Sequence, residues 1–116
     1  MENTHMIATF MDLYGIPDEP RRIDNMACSC GTHPSSFTKM KMGWVNPRVI
    51  PASPSRTTVT IDALSKPLEE GSEHAIKIPS QSSLAYLLVE ARLRTDPYEQ
   101  STPGLSSGIP SEGIVV

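Results

Sequence analysis

The dipeptide Asn46-Pro47 divides the chain into two parts of different character, which limits what the chain can fold into. Before it, apolar residues recur at helical spacing. After it, β-branched runs are separated by Gly, Pro and Ser. Asn-Pro is itself a strong signal for a turn. We therefore expect an α+β fold with residues 1–47 and 48–116 as its two parts.

Residues 1–47 carry the helical signals. Met6, Ile7, Phe10 and Met11 lie at helical spacing in a stretch without Gly or Pro, which indicates a helix cut at its start. A loop containing Gly and Pro follows over 12–20.

A second, short helix is predicted later in this part of the chain. Pro34-Ser35-Ser36 supplies a cap before an amphipathic stretch over 37–42, and Gly43 ends it. Lys39 and Lys41 are expected on its solvated face. Trp44 is expected to anchor the helix against the sheet as a core residue.

Residues 48–116 are predicted to form three or four strands. Segments 57–61, 75–78 and 113–116 are β-branched or alternate in hydrophobicity. Segment 84–92 is ambiguous by periodicity, because its Ala, Leu and Glu content would also permit a helix. Within it, Glu90 and Arg92 would share one strand face as an ion pair. The segment 95–112 is rich in Pro, Gly and Ser and is predicted to be a long mobile loop.

Composition bounds the function. The chain has 116 residues, so it is one domain or part of one, and aromatic residues make up only 5%, which leaves little material for a large core. A net charge of −3 gives no electrostatic footprint for nucleic acid and no polybasic membrane patch. No signal peptide is evident, and no apolar stretch approaches the roughly 18 to 20 residues that span a bilayer.

Cys28 and Cys30 do not indicate whether the protein belongs in an oxidising or a reducing compartment. One residue between them is too few for the usual C-x-x-C pair, and a disulfide there would be strained. We interpret both as small thiols in a loop.

The first five residues match the zinc-peptidase motif H-E-x-x-H at every position but the first. In that motif two histidines on one helix face bind zinc, and the glutamate activates the zinc-bound water. Glu2 is therefore the candidate general base and His5 a candidate zinc ligand. The alternatives are a solvated carboxylate at a helix start and an ordinary surface histidine.

Two further residues follow in the order that a metzincin-like zinc peptidase requires. Asp12 is placed to supply a third, oxygen ligand after the chain turns back, or else it is a turn residue. Met26 is placed to form the methionine turn beneath the metal, or else it fills a core gap. His33 and His74 lack partners at ligand spacing and are expected to be exposed or capping.

Two longer blocks extend the pattern along the chain, K-M-K-M-G-W-V-N-P at 39–47 and L-A-Y-L-L-V-E-A-R at 84–92. With these blocks the chain resembles the C-terminal half of the catalytic domain of immune-inhibitor-A-like secreted bacterial zinc metalloproteases. Pro103-Gly104 and 113–116 resemble the entry to a later strand of that family. The resemblance favours a strand rather than a helix over 84–92. It implies a zinc cofactor, protein or peptide substrates and a secreted parent, with no nucleic-acid or membrane partner.

The departures from the family pattern bear on activity. Met1 replaces the first histidine, and a thioether is a poor ligand for zinc. Ala8 stands where the family has Gly, and Asp12 lies one residue farther from His5 than the family pattern has it. Two protein ligands at best would bind zinc weakly or not at all, so the chain is predicted to be inactive.

Two other functions remain open from the sequence. The β-rich part could be a non-catalytic module that binds an extended peptide or has a structural role. The chain could also be a truncated gene product without activity.

Overall fold

The computed structural model describes Asp24 and residues 31–53, 55–67 and 70–116. In chain order, these residues form one helix and four strands: α1 (Ser36–Lys41), β1 (Arg48–Val49), β2 (Ala75–Pro79), β3 (Tyr86–Arg92) and β4 (Gly113–Val115). The class is α+β, with one short helix and a mixed sheet. The predicted cut helix and methionine-turn loop lie outside the described residues, as do Cys28 and Cys30.

Helix α1 forms at the predicted cap. Ser35 is extended (φ −66°, ψ 168°) and its side chain accepts a hydrogen bond from the Thr38 N–H, which satisfies one free donor of the first turn. Lys39 and Lys41 lie in the last turn, where positive charge favours the helix dipole. The helix begins and ends one residue earlier than predicted, and Gly43 follows with φ +76°.

The strands are hydrogen-bonded in the order β1-β2-β3-β4. β1 is parallel to β2, whereas β2 with β3 and β3 with β4 are antiparallel. The predicted strands at 75–78, 84–92 and 113–116 are confirmed as β2, β3 and β4. Segment 84–92 thus forms a strand and not a helix.

The predicted strand over 57–61 is wrong. Ile61 makes an isolated bridge to Glu73, and the preceding residues form no strand. The outer side of β2 is paired instead with the two residues of β1, which the sequence did not predict. A β-branched run has strand propensity, but it forms a strand only where a neighbouring strand offers free backbone groups.

The two sides of the sheet differ in polarity. Side chains alternate along β3, so Glu90 and Arg92 lie on one face and Val89 and Ala91 on the other. α1 packs on the face of Glu90, because the Ser36 N–H donates to that carboxylate. The buried apolar residues of the described chain are Ala63, Leu64, Ala75, Ile76, Ala91 and Ile109. The buried polar or charged ones are Asp24, Thr32, Ser36, Thr38, Glu90, Arg92, Glu99 and Ser106.

Trp44 is not the core anchor that the sequence predicts, since 52% of it is exposed. Ser36 and Thr38 are the buried residues of α1, and the carboxylate of Glu90 meets the helix start. The helix–sheet interface is therefore polar and leaves the indole outside.

The prediction that both lysines of α1 are solvated is confirmed for Lys41 and wrong for Lys39. Lys41 is exposed, but Lys39 is half-buried and its Nζ donates to the Leu64 carbonyl at 3.1 Å. Lys39 thus links the helix to the chain before β2. Among the described residues, no helix has the length and apolar character to cross a membrane.

Candidate functional site

The four residues that the sequence assigns to a zinc site, Glu2, His5, Asp12 and Met26, all lie outside the described residues. Within the described ranges, no three His, Cys, Asp or Glu side chains come together as a metal site. The structure therefore does not test the predicted zinc site.

The most unusual arrangement in the described chain is a buried set of charged side chains, Glu90, Arg92 and Glu99, here called the ionic cluster. Arg92 donates to Glu99 through two atoms, from Nε to Oε2 and from Nη2 to Oε1, each at 2.8 Å. Its Nη1 donates to Glu90 Oε1 at 3.0 Å. Side-chain exposure is 1% for Arg92, 4% for Glu90 and 0% for Glu99. Such two-point pairing matches the planar guanidinium to a carboxylate.

Local structure explains how the three charges meet. The period of two along β3 places Glu90 and Arg92 on one face, so the predicted ion pair is confirmed. Glu99 comes from a turn in which Asp96 Oδ1 accepts hydrogen bonds from the N–H groups of Tyr98 and Glu99, both at 2.9 Å. An aspartate that caps its own turn in this way fixes the direction of the residues after it.

The cluster holds the backbone that leads into α1. Glu99 Oε1 accepts from the His33 N–H at 3.0 Å, and Glu90 Oε2 accepts from the Ser36 N–H at 2.6 Å. Arg92 Nη2 also donates to the His33 carbonyl at 3.3 Å. The carboxylate of Glu90 therefore satisfies a free donor at the helix start, where negative charge is favoured.

Asp24, a buried carboxylate outside the ionic cluster, also bonds to the start of α1. Its Oδ2 accepts hydrogen bonds from the hydroxyls of Ser35 and Thr38, the latter at 2.6 Å. The cap residue Ser35 thus donates to Asp24 while accepting from the first turn of α1. The chain at Asp24 is tied to the helix by hydrogen bonds to a charged group, which are stronger than neutral ones.

His33 has a partner that the sequence did not indicate. Its Nε2 lies 2.7 Å from Asp96 Oδ2, and both side chains are 26% exposed. The Tyr98 ring meets the imidazole edge-to-face, with centroids 5.6 Å apart. Partial burial acts to raise the pKa of Asp96, but the Glu99 N–H and His33 outweigh it, so that pKa is lowered.

The charged groups of the ionic cluster shift the pKa values of Arg92 and of the neighbouring Lys39. Burial acts to lower the pKa of Arg92, yet Glu99 and then Glu90 raise it further above its already high value. For Lys39, burial and then the positive charge of Arg92 lower the pKa, despite the opposing carboxylates of Glu99, Glu90 and Asp96. Each carboxylate of the cluster is met by hydrogen-bond donors from the protein itself. The ionic cluster therefore organises structure rather than presenting groups to a substrate.

On the opposite face of the sheet lie two shallow apolar grooves. One, of about 380 Å³, lies between residues of 50–53 and 55–59 and the side chains of Ile76, Ile78 and Val89. The other, of about 300 Å³, lies at the end of the β2–β3 hairpin. Both grooves are lined by Ala52 and Ile78, so they lie next to each other.

Sequence reasoning missed Asp24, Asp96 and Glu99. One signal was present in Asp96-Pro97-Tyr98-Glu99, where an aspartate three residues before a glutamate suits a capped turn. No local signal indicated that Glu99 would be buried, because its partner Arg92 lies on a different element.

Comparisons of the chain with protein-family models, with curated proteins and with solved structures find no match.

Proposed function

We propose that this chain derives from the catalytic domain of a secreted zinc metallopeptidase and is not itself hydrolytic. One observation supports the proposal: the helix and the strand that contain parts of the two blocks pack against each other. α1, which contains the start of the first block, packs on β3 of the second block, and the Ser36 N–H just before the first block donates to Glu90. This is expected if both blocks come from one domain, because the parts of a domain that are distant in sequence pack together when it folds.

The chemistry of the candidate ligands supports the proposed lack of activity. His5 and Asp12 offer one imidazole and one carboxylate, and Met1 adds only a thioether, which binds zinc poorly. Without a firmly held metal, the water that Glu2 would activate keeps a high pKa and has no fixed position.

Zinc binding to the chelator-stripped chain tests the proposal. The chain should bind zinc weakly or not at all, whereas Met1→His, placed behind a new initiator, should bind one zinc tightly because it restores the helical ligand pair. His5→Ala in the restored chain is the matched control and should lose that binding.

The other outcomes contradict the proposal in distinct ways. Tight, stoichiometric zinc in the unaltered chain, with peptide hydrolysis abolished by Glu2→Gln, would show that the chain is active. Absence of zinc binding in both chains would overturn the metallopeptidase origin of the site.

A second candidate function is supported by the incomplete pairing of the sheet. β4 pairs with Glu90–Arg92 of β3, so among described residues the stretch 86–89 has no partner on that side. Leu87 lies next to this free edge and is 55% exposed. An extended peptide could add there as a further strand, with its main chain hydrogen-bonded to β3.

A labelled extended peptide with alternate apolar residues tests the second candidate. Cooperative melting of the chain together with saturable binding, weakened by Leu87→Asp, would support a peptide-binding module. A non-cooperative melt, or binding that does not saturate, would reject it.

A further inference from the structure

Residues 95–109, here called the strap, form a segment closed by its own hydrogen bonds. The Ile109 N–H donates to the Glu99 carbonyl at 3.0 Å, which closes the part of the strap from 99 to 109 into a loop. Between them, Thr102 and Ser106 form an antiparallel bridge, and the Gln100 N–H donates to the Asp96 carbonyl. The strap contains no helix or strand, yet it has a defined internal structure of the kind seen in compact surface loops.

Few strap side chains enter the fold. Glu99, Ser106 and Ile109 are buried, whereas most other strap side chains are exposed. Glu99 carries the two-point bond to Arg92 and accepts from the His33 N–H. At the surface, Asp96 pairs with His33. Charged groups thus hold the strap to the rest of the chain, through Glu99 in the interior and through Asp96 near the surface.

The strap also lies directly against the chain before α1. At Gly31 an added Cβ would lie 2.4 Å from the Leu105 carbonyl oxygen and 3.0 Å from the Ser106 Cα. The strap therefore covers residues 31–33, and Thr32 beneath it is 2% exposed.

From this arrangement we propose that the strap opens as a unit while the sheet stays folded, and that the Arg92–Glu99 ion pair holds it closed. The internal hydrogen bonds of the strap survive opening, because both partners move together. Opening breaks the bonds that Glu99 and Asp96 make to the rest of the chain and exposes a small apolar surface. This is the pattern of a segment that opens below the global free energy of unfolding. The open form presents the backbone of His33 and the approach to the N-terminus of α1 to solvent.

Hydrogen exchange of the full chain, followed by mass spectrometry, tests the proposal. In the unaltered chain, strap amides should exchange through openings of lower free energy than those of β2 and β3. Glu99→Gln should speed exchange in the strap by at least about tenfold, because a hydrogen-bonded charge is removed from Arg92. Exchange in β2 and β3, which goes through global unfolding, should speed by no more than the same factor, so the strap stays the segment that opens at lower free energy. Glu112→Gln is the matched control, since Glu112 is an exposed carboxylate beside the strap, and it should leave strap exchange unchanged.

A second variant opens the strap without touching the ionic cluster. Gly31→Ala introduces a Cβ against the Leu105 carbonyl and should speed strap exchange, because the contact is relieved when the strap opens. Gly104→Ala is its control, because Gly104 has the same sign of φ (+75°) with open space around it. Strap amides that open in the unaltered chain with the same free energy as those of β2 and β3 would show that the strap is no separate unit. Strap exchange that is unchanged in both Glu99→Gln and Gly31→Ala would overturn the proposal. If Glu99→Gln does not fold, strap exchange in the unaltered chain and in Gly31→Ala tests the proposal instead.

Discussion

The guanidinium of Arg92 and the carboxylate of Glu99 form a two-point ion pair in which neither side chain is more than 1% exposed. Burial of two opposite charges is costly unless their geometry is good and the remaining polar atoms are satisfied. Here Glu90 and the backbone of His33 satisfy further atoms. The pair therefore joins the end of the sheet to the strap and to the chain before α1.

Arg92→Lys should lower the free energy of unfolding by about 3–5 kcal/mol, since a lysine cannot pair with Glu99 and Glu90 at once and leaves buried carboxylate oxygens unpaired. Urea unfolding measures the loss. Arg94→Lys is the control, because Arg94 is exposed and donates to backbone carbonyls, so its loss should be small. Equal effects at both positions would contradict a special role for the buried pair.

Replacement by valine should lower the free energy of unfolding at Thr38 but not at Thr32. Both are buried, but Thr38 Oγ1 donates to Asp24, whereas Thr32 Oγ1 has no hydrogen-bond partner within the described part of the chain. Thr38→Val should cost about 1.5–3 kcal/mol, and Thr32→Val should be neutral or stabilising by about 1 kcal/mol. Thermal unfolding of the two variants measures the difference, and a large loss in Thr32→Val would show that its hydroxyl is bonded.

Asp96 should make stability fall in acid. Its pKa in the folded chain lies below the ordinary value of 3.8, so its contribution is fully present above that pH. The contribution is lost as the pH falls through the lowered pKa, because the unfolded chain binds the proton more readily there. Unfolding free energies from pH 6 down to about 2.5 should therefore converge for the unaltered chain and Asp96→Asn. A constant gap between them would contradict the lowered pKa.

Trp44→Gln should change the free energy of unfolding by no more than about 0.5 kcal/mol, because the indole is half-exposed. Leu64→Ala is the comparison: Leu64 is 2% exposed, so its truncation should cost about 2–5 kcal/mol. Chemical denaturation of the two variants measures the free energy of unfolding that each has lost. The reverse order would restore Trp44 as the core anchor that the sequence predicts.

Local signals in the sequence predicted the elements that local chemistry decides. The cap at Ser35 and the stop at Gly43 located α1 to within one residue, because both depend on groups within one turn of the chain. The alternation in 75–78 located β2 in the same way, whereas 84–92 is ambiguous by periodicity and is assigned as a strand only from the resemblance.

Pairing between distant segments could not be predicted. β1 has only two residues, so it has no periodicity to detect, and its position beside β2 left 57–61 without a strand to join. Likewise, Lys39 and Glu99 read as polar surface residues, because their partners, Leu64 and Arg92, lie outside the helix or turn that contains each of them. The sequence predictions at Glu2, His5, Asp12 and Met26 remain predictions.

The polar interface between α1 and the sheet has a thermodynamic consequence. Exposure of apolar surface raises the heat capacity on unfolding, whereas exposure of polar surface lowers it. In the described part of the chain, buried polar and charged residues outnumber the buried apolar ones, and several of the apolar ones are small alanines. The heat-capacity change of this part should therefore be small for its size. Its curve of free energy against temperature is then shallow, so stability varies little between cold and warm conditions.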